Sequence, residues 1–496
     1  LLRGDAFEVF IEAFLNTSDS FEAVKVYPSL AQTPAIIRDK LKVSKKDKGI
    51  DGVFLTKDEK IIPYQVKFRT GREVVDYGEI TKFIHQSKNA DIRYLIGNSD
   101  KINEEYKKDK NKNLSVKGYD FDNLSKDQFQ TAINWLKQKP PVFKPTKPDP
   151  KYQTKIIADT CEELRKADRA TMLMACASGK TLVSMWIAQK RAPKTIVIFV
   201  PSLALAQQFY DEWTREKPFK NILKKVICSK WGEQLDYDDE QLSQDDVPFK
   251  VDTDHLEVRR FLNLKFNGTK IIFCTYQSSR VLKEAMQKKH VIDLGIFDEA
   301  HRTTQYKKII RKKKSKNPEV NWSIGLFDEH IKITKRLFMT ATTKEIKKNQ
   351  FLKDGDDKIV YVMNDILLYG KKVCNFTFAQ AREVGAICPY KILISVITKE
   401  DLDVYTIKNS NVLIDGEEIS AEQFALQLAV KAAVKKFTPK KIFTFHHRCN
   451  SANSFVKKEK PEEIQRHLKD FYTGYVDGAM SMSDRTDIMS LFQAHD

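Results

Sequence analysis

Three short segments carry side chains suited to holding phosphates and a divalent cation. Ala175-Cys176-Ala177-Ser178-Gly179-Lys180-Thr181 follows an apolar run and precedes a helical pattern. A loop entering a helix presents backbone N–H groups and the positive end of the helix dipole to an anion. Ser178 and Gly179 would shape that loop, Lys180 would reach the β- and γ-phosphates, and Thr181 would hold magnesium. The strict G-x-x-x-x-G-K-[ST] pattern fails at its first position, Met174, so the triplet alone is a weak signal. Ile296-Phe297-Asp298-Glu299-Ala300-His301 lies about 120 residues further on, at the end of another apolar run. There Asp298 suits a magnesium ligand and Glu299 suits the orientation of an attacking water. Phe338-Met339-Thr340-Ala341-Thr342 closes a third run. An acid pair ending a strand also reads as a helix N-cap, but that reading explains one segment and not the order of all three.

A second constellation lies near the start of the chain. Gly49-Ile50-Asp51-Gly52-Val53-Phe54 and Pro63-Tyr64-Gln65-Val66-Lys67-Phe68 read as two strands, with Asp58-Glu59-Lys60 as the turn between them. Side chains alternate along a strand, so Gln65 and Lys67 share a face, and Asp51 could lie beside them. A carboxylate, an amide oxygen and a lysine converging in this way can bind magnesium and polarise an attacking water. From spacing alone, an ordinary hairpin with exposed polar residues reads equally well.

The elements that must position these residues follow from the apolar pattern. Thr171–Met174, Thr195–Val200, Lys270–Cys274, Val291–Phe297 and Arg336–Met339 read as buried strands, with amphipathic helices such as Leu182–Lys190 and Ala204–Glu212 between them. Such alternation predicts an α/β domain with a parallel sheet. Residues 139–150 hold five prolines, which can neither continue a helix nor sit inside a sheet. The expected organisation is therefore a first domain over 1–138, a stiff linker over 139–150, a parallel-sheet domain over 151–365 and a further one over 366–496.

Composition sets bounds on the partners. Lys plus Arg exceeds Asp plus Glu by 85 − 67 = 18, and a surplus of that size favours a polyanionic partner. Asp236–Asp246 is acidic and Lys307–Lys316 strongly basic; such runs are commonly solvated faces. Seven cysteines without a C-x-x-C pair argue against a zinc site or a disulfide framework. No apolar run approaches the roughly 20 residues of a membrane span, and Leu1-Leu2-Arg3 meets charge too soon for a signal peptide. The expectation is a reducing, cytoplasmic setting with no membrane partner. His446-His447 are neighbours on a strand-like run and would face opposite ways, which argues against a shared metal.

Taken together, the segments resemble superfamily 2 helicases. Gly179-Lys180-Thr181 matches motif I, Val200–Gln208 resembles motif Ia, and Cys274–Ser278 resembles motif Ib. Asp298-Glu299-Ala300-His301 matches the D-E-A-H box and Thr340-Ala341-Thr342 matches motif III. Tyr152-Gln153 resembles the adenine-reading glutamine motif, which implies a nucleotide contact for Gln153. The family usually has glycine where Ala177 stands. Lys441–His447 resembles motif IV, and Ser481–Arg485 the segment after it. The Q-x-x-G-R-x-x-R pattern of motif VI does not occur between Lys391 and Asp496, so the second RecA-like lobe is expected to be incomplete.

The N-terminal region resembles the PD-(D/E)xK nucleases in their Mrr-like form. The resemblance implies Glu8 on a first helix, Asp51 and Gln65 as metal ligands, and Lys67 as the catalytic lysine, with Glu12 as an alternative to Glu8. Such a nuclease followed by a helicase-type motor resembles the N-terminal part of a type ISP restriction-modification enzyme. Met363–Gly370, Phe378–Ala381 and Cys388–Tyr390 resemble the stretch those enzymes carry between the motor lobes. This resemblance implies ATP, magnesium and double-stranded DNA, with methyltransferase and target-recognition domains further along a longer chain. Two other readings stand beside it: a helicase–nuclease of DNA repair or antiphage defence, and a DNA-binding ATPase switch whose nuclease fold is inactive.

Overall fold

The computed structural model describes the chain apart from residues 1, 48, 110–111, 143, 229–246, 309–321, 344–357, 393–406, 409–410, 415–416, 447–448, 457–463, 465–467, 478–479, 481 and 495–496. Leu1–Gly232 and Leu242–Cys388 form one compact unit, and Pro389–Asp496 belongs to a second. The acidic run Asp236–Asp246 and all but the first two residues of the basic run Lys307–Lys316 lie outside the described residues, as do His447 and Ser481.

The N-terminal domain is a five-stranded sheet in the order β1 (Ala23–Tyr27), β2 (Gly52–Thr56), β3 (Ile61–Lys67), β4 (Arg93–Gly97), β5 (Asn113–Val116). The first three strands pair antiparallel and β3, β4 and β5 pair parallel. Alternation divides β3 between two cores. Tyr64 and Val66 pack with Ile11, Phe14 and Leu15 of the helix Leu2–Thr17. Gln65 and Lys67 point to the other side, where Val53 and Leu95 meet Ile80 and Phe83 of the helix Tyr77–Gln86. That helix makes the crossover from β3 to β4, and Asp76 and Glu79 form a capping box at its start.

The central domain holds strands β6 (Arg169–Met174), β7 (Thr195–Val200), β8 (Ile222–Ile227), β9 (Val251–Asp252), β10 (Thr269–Thr275) and β11 (Ile292–Phe297). After the short β12 (Gln305–Lys308) come β13 (Ile333–Thr340), β14 (Lys358–Tyr361) and β15 (Lys371–Phe376). Eight of these form one sheet in the order β15-β6-β13-β11-β7-β10-β8-β9, with every pair parallel. The helices Lys180–Arg191 and Leu203–Glu216 make the crossovers after β6 and β7. Strands covered on both faces read as unbroken apolar runs, and the five expected from sequence are the centre of this sheet. Neighbouring β6, β13 and β11 run in register to Leu173↔Thr340 and Phe297↔Phe338. The loops leaving their C-terminal ends therefore emerge side by side, where open parallel sheets bind ligands.

Three expectations change. β15 was expected beyond the central domain but extends its sheet beside β6, so that domain reaches past residue 365. Lys441–Phe445 is not a strand; Phe443 and Phe445 are exposed. A strand is held only by hydrogen bonds to a neighbour, and none pairs there among the described residues. The described strands of the second unit, Ile407–Lys408, Asn411–Ile414 and Glu417–Ser420, pair antiparallel, so no RecA-like parallel sheet stands there among the described residues. Residues 139–150 carry no helix or strand among the described positions. No helix among the described residues is long and apolar enough to cross a membrane.

Candidate active sites

The first site lies at the ends of β6, β11 and β13. Lys180 opens the helix after β6 and is capped by Gly179 in a left-handed conformation, φ 84°. A Cβ on Gly179 would fall 2.7 Å from Gln153 Nε2, so glycine is required for this close approach. Gln153 Nε2 and the Tyr152 hydroxyl both donate to the Ser178 carbonyl, at 3.2 and 3.0 Å, and Gln153 Oε1 accepts from Asp149 N at 2.8 Å. Gln153 thus braces the loop from behind. The Tyr152 ring stacks on Phe376 of β15, centroids 4.4 Å apart. Ala177 also sits in the left-handed region, φ 60°, where a glycine would carry no strain.

Lys180 Nζ reaches Glu299 Oε1 at 3.1 Å. Glu299 Oε2 accepts from Thr340 Oγ1 at 3.3 Å and lies 3.3 Å from His301 Nδ1. His301 Nδ1 and Thr340 Oγ1 are 2.8 Å apart. Three loops distant in sequence are thus tied through one carboxylate. Burial pushes Glu299 up, but the His301 hydrogen bond and the Lys180 charge outweigh it and hold the carboxyl at about 2. Asp298 is buried, and burial together with the Glu299 charge raises it to about 7. A bound cation would reverse that shift. The Asp298 backbone is fixed by Phe199 O at 2.9 Å and by the Tyr276 hydroxyl, which donates to its carbonyl at 2.7 Å. Thr181 lies in the first turn of the helix after the loop. Tyr276 was not foreseen as a supporting residue, because its contact is to a backbone carbonyl 22 residues away.

The second site lies at the end of the β2–β3 hairpin. Asp51 precedes β2, and its Oδ2 accepts from Val66 N at 2.7 Å. Burial raises Asp51, against that hydrogen bond and the Lys67 charge. Glu8, exposed on the first helix, is raised by partial burial and by the Asp51 charge and lowered by the Lys67 charge. Burial and the charges of Glu12, Asp51 and Glu8 push the Tyr64 hydroxyl up. A Cβ on Gly52 would fall 2.3 Å from the Tyr64 hydroxyl oxygen, so only glycine lets Tyr64 cross the strand there.

Gln65 is 5% exposed and its Oε1 has no hydrogen-bond partner. A buried acceptor without a donor costs roughly 1–3 kcal/mol, and a cation held with Asp51 would satisfy it. The residues present therefore fit a divalent ion. Among the described residues no three His, Cys, Asp or Glu side chains gather as a metal cluster; an amide stands where a further carboxylate would be.

Residues 147–345 match the family described as type III restriction enzyme, res subunit, and residues 18–140 match a restriction endonuclease family. No curated protein gives a significant match. Among solved structures, the ATP-dependent Type ISP restriction-modification enzyme LlaBIII bound to DNA is 17% identical, with a TM-score of 0.69. The similarity covers 99% of this chain and 32% of that one, so the chain spans about a third of that enzyme's length. A nuclease-deletion mutant of the Type ISP enzyme LlaGI, in complex with a DNA substrate mimic, is 23% identical over 48% of this chain and 18% of that one, with a TM-score of 0.37. By its two domain matches and its fold, the chain joins a restriction-endonuclease domain to a helicase-type ATPase domain and resembles the N-terminal part of a type ISP restriction-modification enzyme.

Proposed function

We propose that the chain is an ATP-dependent DNA translocase fused to a magnesium-dependent DNA endonuclease, the restriction part of a restriction-modification enzyme. The observation that carries this reading is the presence of both sites, Lys180–Glu299 and Asp51–Gln65–Lys67, within one compact unit. In the ATPase domain, Ser178, Gly179 and Lys180 hold the nucleotide phosphates, Gln153 supports the loop from behind, and Glu299 orients the attacking water. Thr181 and Asp298 would hold magnesium, which neutralises phosphate charge. In the nuclease domain, Asp51 and Gln65 would hold a second magnesium, with Glu8 beside them, and Lys67 stabilises charge at the scissile phosphate.

The unpaired Gln65 oxygen favours this over an inactive nuclease fold serving as a clamp, because a retired site would have no reason to keep a buried acceptor unsatisfied. Double-stranded DNA is the substrate in this reading, in keeping with the surplus of 18 positive charges. The test is ATP turnover with and without duplex DNA. Turnover should rise with DNA in the parent, and Glu299→Gln should remove it. Turnover indifferent to DNA would contradict the translocase assignment.

A further inference from the structure

This inference rests on the functional reading above and concerns what joins the two sites. The nuclease domain is seated on the ATPase domain through Glu22. Glu22 ends the turn Asp19–Phe21 in a left-handed conformation, φ 52°, which is strained for a residue with a Cβ. Its Oε1 accepts from the Lys224 backbone N, on β8, at 2.7 Å. Lys224 Nζ donates back to the Asp19 carbonyl at 2.8 Å and to Thr214 Oγ1 at 2.9 Å, and lies 4.3 Å from the Tyr210 ring centre.

Other contacts surround this pair. The Tyr210 hydroxyl donates to the Ser20 carbonyl at 2.8 Å, Lys57 Nζ to the Ile222 carbonyl at 3.2 Å, and the Tyr94 hydroxyl to the Pro248 carbonyl at 3.0 Å. The proline-rich segment adds a tie of its own: Thr146 N and Oγ1 donate to the Glu216 carboxylate at 2.8 and 2.7 Å. Burial pushes Glu22 up and Lys224 down, each partly restored by the other's charge.

An interface serving adhesion alone would be cheaper if apolar. Polar contacts across a junction add little net stability, but each donor must meet its acceptor, so together they fix register. Here the Glu22 carboxylate meets the Lys224 backbone and the Lys224 ammonium meets the Asp19 carbonyl, between two domains, ringed by hydrogen bonds to backbone carbonyls that only one alignment satisfies. We propose that Glu22 and Lys224 form a registry latch that seats the nuclease domain at one position on the ATPase domain. The Asp51–Lys67 site then travels with the ATPase domain and cuts where ATP turnover has brought it.

The experiment compares the full chain with Lys224→Met and with the double variant Glu22→Gln/Lys224→Met. The single variant leaves the Glu22 carboxylate without the nearby Lys224 charge that favours it; the double variant removes both charges and keeps an acceptor for the residue-224 amide. Hydrogen exchange over 18–27 and 222–228 reads the seating, and the ratio of DNA cutting with and without ATP reads the coupling. In Lys224→Met, exchange in both segments should rise at least about 10-fold and the ratio should fall toward one, with ATP turnover within about twofold of the parent. The double variant should recover protection. Parent-like exchange and an unchanged ratio in Lys224→Met would overturn the proposal. So would a parallel loss of ATP turnover, which would mark a merely structural residue. If the parent's cutting ignores ATP, the functional reading fails, and exchange alone decides the seating.

Discussion

Lys180 Nζ stands 3.1 Å from Glu299 Oε1, so the cation assigned to the nucleotide phosphates is engaged by the carboxylate assigned to the attacking water. Nucleotide binding must draw the lysine from one partner to another, and the two residues answer for different steps. Lys180→Ala should weaken nucleotide binding by at least about 10-fold, the worth of a charge-assisted hydrogen bond. Glu299→Gln should bind within a few-fold of the parent and turn over about 100-fold more slowly. Titration with a fluorescent nucleotide beside a phosphate-release assay separates the two. Parent-rate turnover by Glu299→Gln would remove Glu299 from its role.

Ala177 holds φ 60° in the phosphate-binding loop. A left-handed conformation costs an L-residue about 1–2 kcal/mol, and the added chain entropy of glycine takes back part of the relief. Ala177→Gly should therefore stabilise modestly, by about 0.5 kcal/mol, whereas a β-branched Ala177→Val should destabilise by about 1–3 kcal/mol. Thermal melts of the two variants test the sign. A stabilising valine would contradict the geometry.

Asp120 gives a pH dependence with a definite sign. Burial raises its carboxyl well above the usual carboxylate range, to about 7, against a hydrogen bond from Lys117 N. Between about pH 4 and 7 the folded chain holds a proton that the unfolded chain has released, so this group's contribution to stability falls as pH rises through that window. Asp120→Asn keeps an acceptor for Lys117 N and has no charge to bury. Its melting temperature should exceed the parent's by several degrees at pH 8 and match it near pH 4. An equal difference at both pH values would rule out Asp120 as the titrating group.

The central sheet was legible because its strands are covered on both faces and read as unbroken apolar runs. β15 was not, because Lys-Lys-Val-Cys-Asn-Phe is an edge strand with little apolar signal. Lys441–Phe445 failed in the opposite direction: its alternation fits a strand, but no neighbour pairs with it among the described residues. Motif spacing anticipated the position of Lys180 at the start of the helix after β6 and of Asp51 and Lys67 on the β2–β3 hairpin. The left-handed backbone at Ala177 could be anticipated from the glycine the helicase family usually has there. The Glu22–Lys224 contact could not, since each reads as an ordinary surface charge and 202 residues separate them.

The central claim is that one chain couples ATP turnover to DNA cutting through two separate sites. The most direct measurement follows cleavage of linear duplex DNA with magnesium and ATP by the parent, Lys67→Ala and Lys180→Ala side by side. The parent should cut. Lys67→Ala should leave DNA intact while keeping DNA-stimulated ATP turnover, and Lys180→Ala should neither turn over ATP nor cut above the ATP-free level. Cutting at the parent rate by Lys67→Ala would contradict the account.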